Sequence, residues 1–293
     1  MTDFRTTLFR LGASACYQYS RIPRARGAWR FKQLVMRLAP KQPSHFEVKR
    51  EGMRFDLELD EGNDLDWSLL FWGHFEPTSS DWVRRTVREG WTCVDVGANV
   101  GYFTVMLGQL AGRQGRVIAF EPCAPFRQRL ERNVRLNGLT NVQSEDLGLS
   151  DRAAVTTIHL TACTASIDPA HWSPSAVKQS IEIRLGDLDT WWREHGTGRL
   201  DFIKVDTDGH EAKFLAGARE TIARYKPVMM VEVVPEVLHG GDAAALALLT
   251  DIAAMGYTLC SEDGQRRFAG PREALAGLLA GGLAGANAVC VPT

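Results

Sequence analysis

The spacing of hydrophobic positions changes along this 293-residue chain, and each change marks a different kind of element. Between residues 4 and 38, Phe4, Leu8 and Leu11, then Phe31, Leu34, Val35 and Leu38, recur at helical spacing. Arginines fill the intervening positions, and Pro23 and Gly27 separate two helices. Next, Phe46 and Val48, then Met53, Phe55, Leu57 and Leu59, alternate with polar residues around Glu51-Gly52, which predicts a β-hairpin.

From about residue 77, short apolar runs alternate with amphipathic stretches. Thr92–Val96, Arg116–Phe120, Val142–Glu145, residues 201–205, Val228–Val233, 258–260 and 287–291 read as strands. Helices are expected over 101–111, 124–136, 211–225 and 243–255, the second stopped by Asn137-Gly138. Strands alternating with helices predict an α/β fold, a mostly parallel sheet with helices on both faces. Residues 151–200 break this rhythm and read as an insertion with one strand near 181–185. In such folds the ligand sits at the carboxyl ends of the strands, so the insertion is a candidate lid or substrate wall.

Charge sharpens the division. The chain has 34 Lys/Arg and 35 Asp/Glu, yet residues 1–50 hold 11 Lys/Arg against Asp3 and Glu47 alone. The rest is acidic by ten charges. A basic N-terminal accessory segment over 1–72 is expected ahead of a main domain over 73–293. The basic segment suits peripheral contact with an anionic membrane face, whereas the acidic body argues against nucleic acid as a partner. Six scattered cysteines without C-x-x-C support neither a zinc site nor a disulfide scaffold. Together with the lack of a signal peptide or apolar span, this predicts a cytoplasmic protein.

The strongest motif is VDVGANVGYFT at 94–104, a strand running through a glycine loop into a helix. Gly97 and Gly101 allow a tight turn and a close approach of backbone to ligand. Glu121 ends the next strand, where a carboxylate can accept both ribose hydroxyls. A pyrophosphate-binding G-x-G-x-x-G pattern fails here, because Asn99 and Tyr102 stand at its second and third glycine positions. Asp95 also opposes a pyrophosphate and favours a cation. S-adenosylmethionine carries an ammonium and a sulfonium; Asp95 can offset that charge, and Asn99 can reach the amino-acid moiety.

With GHFEP at 73–77, AFEP at 119–122, LSD at 149–151, DLDTW at 187–191, FIKVDTDGHE at 202–211 and NAVCVP at 287–292, the chain resembles a class I S-adenosylmethionine-dependent methyltransferase of the FkbM type. The resemblance implies a seven-stranded Rossmann-like fold with an antiparallel last hairpin. It implies methyl transfer to a hydroxyl of a sugar, glycan or natural product. It maps the cofactor loop onto Asp95, Gly97, Asn99 and Gly101, and the ribose acid onto Glu121. By fold analogy, Asp146 or Glu145 accepts from the adenine amine. Glu76 lies either at the pocket mouth or at the start of the next helix.

Lys204, Asp206, Asp208, His210 and Glu211 close the fourth strand of that sheet. Buried Lys204 needs a partner, which Asp206 or Asp208 can supply. His210 is the natural general base, with Asp206 or Asp208 as its orienter. Alternatively Asp206, Asp208 and Glu232 could hold Mg²⁺, a reading less favoured than a metal-free site. For Glu211 a structural role at a helix start is expected. His171 is a second-choice base, and Trp172 could stack on a sugar ring. Two other classes stay open: a nicotinamide oxidoreductase, and a non-catalytic module that binds the cofactor or a glycan.

Overall fold

The structure, a computed structural model, describes residues 4–20, 28–39, 44–59, 63–161, 164–168, 176–280, 282 and 284–293. Pro23, Gly27, Cys163, His171, Trp172 and Pro174 lie outside the described residues. The chain divides into two compact units, Met1–Pro77 and Thr78–Thr293.

The first unit holds helices α1 (Phe4–Ser20) and α2 (Ala28–Met36), the hairpin β1 (Ser44–Arg50) and β2 (Met53–Leu59), and α3 (Asp64–Phe71). The hairpin is antiparallel. Its turn takes positive φ at Glu51 (48°) and Gly52 (87°), as a tight two-residue connection requires. Helix α1 buries Phe9, Ala13 and Cys16, which lie one helical turn apart on one face. Phe9 meets Phe46 and Phe71 edge to face. A Cβ on Gly12 would stand 2.9 Å from Val35, so the glycine lets α1 and α2 approach closely. Part of the basic charge is used inside the unit. Buried Arg50 donates to the carbonyls of Leu69 and Leu70 and stacks on Tyr17. Lys32 lies over Phe71 and Trp72, and Arg10 over Phe46. Among the described residues, no helix is long and apolar enough to cross a membrane.

The second unit opens with α4 (Pro77–Thr86) and is built on β3 (Thr92–Val96), α5 (Tyr102–Ala111), β4 (Arg116–Phe120), α6 (Ala124–Leu136) and β5 (Val142–Glu145). Then come β6 (Gly148–Leu149), β7 (Ala154–Leu160), β8 (Ala165–Ser166), β9 (Gln179–Gly186) and α7 (Leu188–His195). Next are β10 (Phe202–Val205), α8 (Glu211–Ala216), α9 (Arg219–Tyr225), β11 (Val228–Val233), α10 (Asp242–Ala254), β12 (Tyr257–Cys260), α11 (Pro271–Leu278) and β13 (Ala286–Pro292). The main sheet has the order β12-β13-β11-β10-β3-β4-β5. Strand β13 runs antiparallel to both of its neighbours; the other pairs are parallel. This is the expected seven-stranded Rossmann-like α/β sheet with an antiparallel last hairpin.

Strand alternation sends Val94, Val96, Ile203, Val205 and Val231 into one core with Trp191, Trp192, Phe214, Ile222 and Leu248. The opposite face carries Cys93, Asp95, Phe202 and Lys204; there Trp82 of α4 packs on Phe202. Both tryptophans of the 191–192 pair are therefore core residues.

The single helix expected over 211–225 is two. Gly217 ends α8, and a Cβ there would lie 2.0 Å from the Ser150 carbonyl oxygen. The chain bends where α8 meets the Ser150 backbone, and Asp189 receives the freed amides of Glu220 and Thr221 at the start of α9. The insertion is a second sheet rather than one strand, ordered β6-β9-β7-β8. Helix α3 carries no clear period in sequence, because DLDWSLLF clusters its apolar residues, and α11, which buries Ala274 and Leu278 one turn apart, lies in an Ala/Gly-rich stretch.

Candidate active site

The site grows from one register pair. Strands β3 and β10 run parallel and set Asp95 directly beside Lys204. Both side chains leave the same sheet face, under α5, and both are almost fully buried, at 1% and 2% exposure. Helix α5 supplies what a buried acid and base require. Thr104 Oγ1 donates to Asp95 Oδ2 at 2.6 Å. Lys204 Nζ lies 4.7 Å from the Phe103 ring centroid and donates to Asp206 Oδ2 at 2.6 Å. Asp95 Oδ1 is buried and has no hydrogen-bond partner among the described residues. Burial pushes the Asp95 carboxyl up, and Lys204 and Thr104 oppose that. An orphaned buried carboxylate oxygen fits a cationic ligand.

The glycine loop follows. Gly97 (φ 74°), Asn99 (φ 50°) and Gly101 (φ 86°) all take left-handed backbone. The amides of Gly97 and Ala98 donate to the Phe120 carbonyl, and the Asp206 amide donates to the Val96 carbonyl. The ends of β3, β4 and β10 are thus tied together at the carboxyl edge of the sheet. Glu121 lies there as expected. Its Oε2 accepts from the Asn99 amide at 2.7 Å and its Oε1 from the Cys123 amide at 2.8 Å. Burial lifts its carboxyl to about 7 against these bonds. Each oxygen keeps a lone pair for a hydroxyl donor.

Asp146 follows β5 but is half exposed and bound by Arg127 at 2.7 Å and Arg184 at 3.6 Å. An adenine amine would compete with both guanidinium groups there. Glu145 accepts from Gln143 and Trp191. Glu76 belongs to the first unit, immediately before α4, with φ 41°.

The loop after β10 departs from the expected roles. Asp206 holds Lys204, not His210. Asp208, at φ 50°, accepts from Thr164 Oγ1 through Oδ2, and its carbonyl accepts from Ser166. Thr164, immediately before β8, and Ser166, within it, place the insertion against this loop. Burial, then the neighbouring Asp206, raise the Asp208 carboxyl to about 7. Neither aspartate orients His210. That ring meets Ser150, with Nε2 and Oγ 2.9 Å apart. Burial and Lys213 hold its imidazole down at about 4, so it is neutral at pH 7. Glu211 is structural, as expected: Oε1 accepts from Thr207 N, Thr207 Oγ1 and Gly209 N and fixes the turn.

Glu232 on β11 is lifted well above its ordinary range by burial and then by Asp206, Asp208 and Glu211. Even so, among the described residues no three His, Cys, Asp or Glu side chains are arranged to hold a metal ion. Sequence reasoning missed Thr104, Thr164, Ser166 and the contact of Ser150 with His210. Only Thr104 and Ser150 stood inside a recognised motif.

Residues 95–258 match the family model described as Methyltransferase FkbM domain. The AMB antimetabolite synthetase AmbE of Pseudomonas aeruginosa is 47% identical over 58 residues, covering 20% of this chain and 3% of that protein. The methyltransferase sdnD of Sordaria araneosa is 28% identical over 158 residues, covering 43% of this chain and 60% of that protein. The chain thus spans less than two thirds of either relative. A methyltransferase FkbM from Methylobacillus flagellatus is similar at 15% identity, over 76% of this chain and 52% of that one, with a TM-score of 0.41.

Proposed function

The chain belongs to the FkbM methyltransferase family, and from that premise we propose that it transfers the methyl group of S-adenosylmethionine to a hydroxyl of a small molecule or glycan. The observation that carries the reading is Asp95 Oδ1, a buried carboxylate oxygen without a partner two residues before the glycine loop. Burying a carboxylate oxygen without a hydrogen-bond partner is costly, and a cationic ligand that donates to Oδ1 removes that cost. A nicotinamide dinucleotide, with its anionic pyrophosphate, would add to it.

Asp95, Gly97, Asn99 and Gly101 hold the amino-acid end, and Glu121 accepts the ribose hydroxyls. When bound, S-adenosylmethionine supplies an electrophilic methyl group. His210 takes the acceptor's proton. Its neutral state at pH 7 follows from its depressed pKa of about 4. A base this weak suffices, because a hydroxyl proton becomes strongly acidic as its oxygen bonds to carbon. A second reading gives the proton to Asp208, whose carboxyl at about 7 is matched to neutral pH. Neither reading uses Mg²⁺.

Calorimetry tests the cofactor. S-adenosylmethionine and its demethylated product should bind and NAD should not. Asp95→Asn should weaken S-adenosylmethionine about 10–100-fold, the worth of one charge-assisted contact. No binding at millimolar ligand would remove the reading. Methyl-labelled cofactor offered with hydroxyl-bearing sugars and metabolites tests the acceptor; label found on nitrogen or carbon would overturn O-methylation. Activity restored only by Mg²⁺ after EDTA would move proton removal to a metal.

A further inference from the structure

We propose that Ser150 and Asp151 are positioning residues that hold His210 in its Nε2-protonated tautomer and so present Nδ1 as the basic face of the ring. The inference rests on the reading of His210 as the base, and it deepens that reading by naming the reacting atom.

The argument counts protons. Asp151 is one-third exposed. Against a slight burial, the Ser150 hydroxyl and the Arg152 guanidinium hold its carboxyl below the usual range, so it is ionised at neutral pH and can only accept. The one hydroxyl proton of Ser150 goes to Asp151 Oδ1, 3.1 Å away. Ser150 Oγ is also 2.9 Å from His210 Nε2. With its proton committed, the hydroxyl can only accept there, so the hydrogen sits on Nε2. This tautomer is assigned from the network. Nδ1 then carries the lone pair and has no hydrogen-bond partner among the described residues.

Ser150 is built to hold this geometry. It is 2% exposed, at the end of β6. Its amide donates to the Gly186 carbonyl at 2.7 Å, and its own carbonyl is approached by Gly217 too closely for a Cβ. The serine is clamped from the insertion sheet on one side and from the end of α8 on the other. Two charged groups face the ring: Lys213 on α8 opposes a charged imidazole, and Asp151 favours it. The carboxylate therefore also steadies the imidazolium of the reaction. As the acceptor oxygen bonds to the methyl carbon, the methyl–sulfur bond would break with its electron pair left on a neutral thioether, and the hydroxyl proton passes to Nδ1; the imidazolium later gives one proton to bulk water.

Asp151→Asn separates tautomer from packing. The amide of the new side chain can donate to Ser150 Oγ, which then donates to Nε2 and shifts the ring proton to Nδ1. Exchanging the carboxylate behind a catalytic histidine for an amide is known to keep geometry and cost about 10⁴-fold in turnover by this means. The test uses the full chain with ¹⁵N-labelled histidine. His210 is picked out of the seven histidines by comparison with His210→Gln. Long-range ¹H–¹⁵N spectra at neutral pH should show protonated Nε2 in the wild type and a protonated Nδ1 population in Asp151→Asn. In that variant kcat should fall about tenfold or more, with S-adenosylmethionine affinity unchanged. Ser150→Ala should lose the wild-type preference as well. A wild-type ring protonated on Nδ1, or a preference for Nε2 that survives in both Asp151→Asn and Ser150→Ala, would overturn the proposal whatever the activity. A correct tautomer with full activity in His210→Ala would instead sink the base reading beneath it.

Discussion

The carbonyl oxygen of Asp206 occupies space that a side chain on Gly97 would need; a Cβ there would lie 1.8 Å from it. The cofactor loop after β3 and the polar loop after β10 therefore share one packing contact. Gly97→Ala combines a left-handed backbone penalty of about 1–2 kcal/mol with overpacking of about 1–3 kcal/mol. Urea denaturation should show a loss of about 2–5 kcal/mol. Gly198 is the control, since its φ is also positive (78°) and nothing lies near its Cβ position. If Gly97→Ala costs no more than Gly198→Ala, the close approach carries no energetic weight.

Lys204 neutralises two acids at once: Asp206 by direct contact and Asp95 by register. Lys204→Met leaves both without their cation. Removing one member of a buried pair costs about 3–5 kcal/mol. Asp206 is 27% exposed, which points to the lower end of that range. The deficit should shrink as pH falls, because burial already favours the neutral form of Asp95 and its protonation removes the uncompensated buried charge in the variant. Denaturation of wild type and variant at neutral and acidic pH checks this; a deficit independent of pH would mean that packing, not charge, accounts for it.

The residues that sequence could assign are those whose role depends on backbone and register. Gly97 and Gly101 announce a turn, and Asp95 and Lys204 announce buried charge inside apolar strands. Parallel pairing then has to bring those strands together. The orienter of His210 was not legible in the same way. Asp206 and Asp208 are close in sequence, but Asp206 belongs to Lys204, and Asp208 is taken by Thr164 across a long insertion. Ser150 reaches the ring only because Gly217 lets the chain bend onto its carbonyl, a contact between segments 67 residues apart. The break between α8 and α9 was hidden for the same reason: helical periodicity runs through Gly217, and tertiary contact overrides it. The first unit shows the converse case. Its high charge suggested a free basic surface, yet Arg50 is a buried structural cation.

Glu121 and Asp208 each hold a carboxyl at about 7, against ordinary values of 4.5 and 3.8. For an acid raised in the folded state, the unfolded chain ionises first. The unliganded protein should therefore lose stability as pH rises from about 4 to about 7. Binding a cation favours the ionised carboxylates and should expel protons near pH 7. Calorimetric titration with S-adenosylmethionine in two buffers of different ionisation enthalpy measures this release. Heats that do not depend on the buffer would show that no carboxylate changes state.

The proton acceptor can be assigned from two variants and one pH profile. If His210 is the base, kcat rises as pH passes about 4 and is level through neutrality. His210→Ala should then lower kcat about 10²–10⁴-fold. Asp208→Asn should cost far less, because its amide oxygen still accepts from Thr164. If Asp208 is the base, kcat instead climbs through a limb at or below about 7, since a bound cation lowers that carboxyl from its unliganded position. Asp208→Asn then carries the large loss. The two outcomes exchange which variant is inactive, so steady-state rates of both, measured from acid to neutral pH, decide between them. The geometry favours His210. Among the described residues its Nδ1 has no hydrogen-bond partner, and Ser150 meets the opposite edge of the ring, while one oxygen of Asp208 is already committed to the insertion.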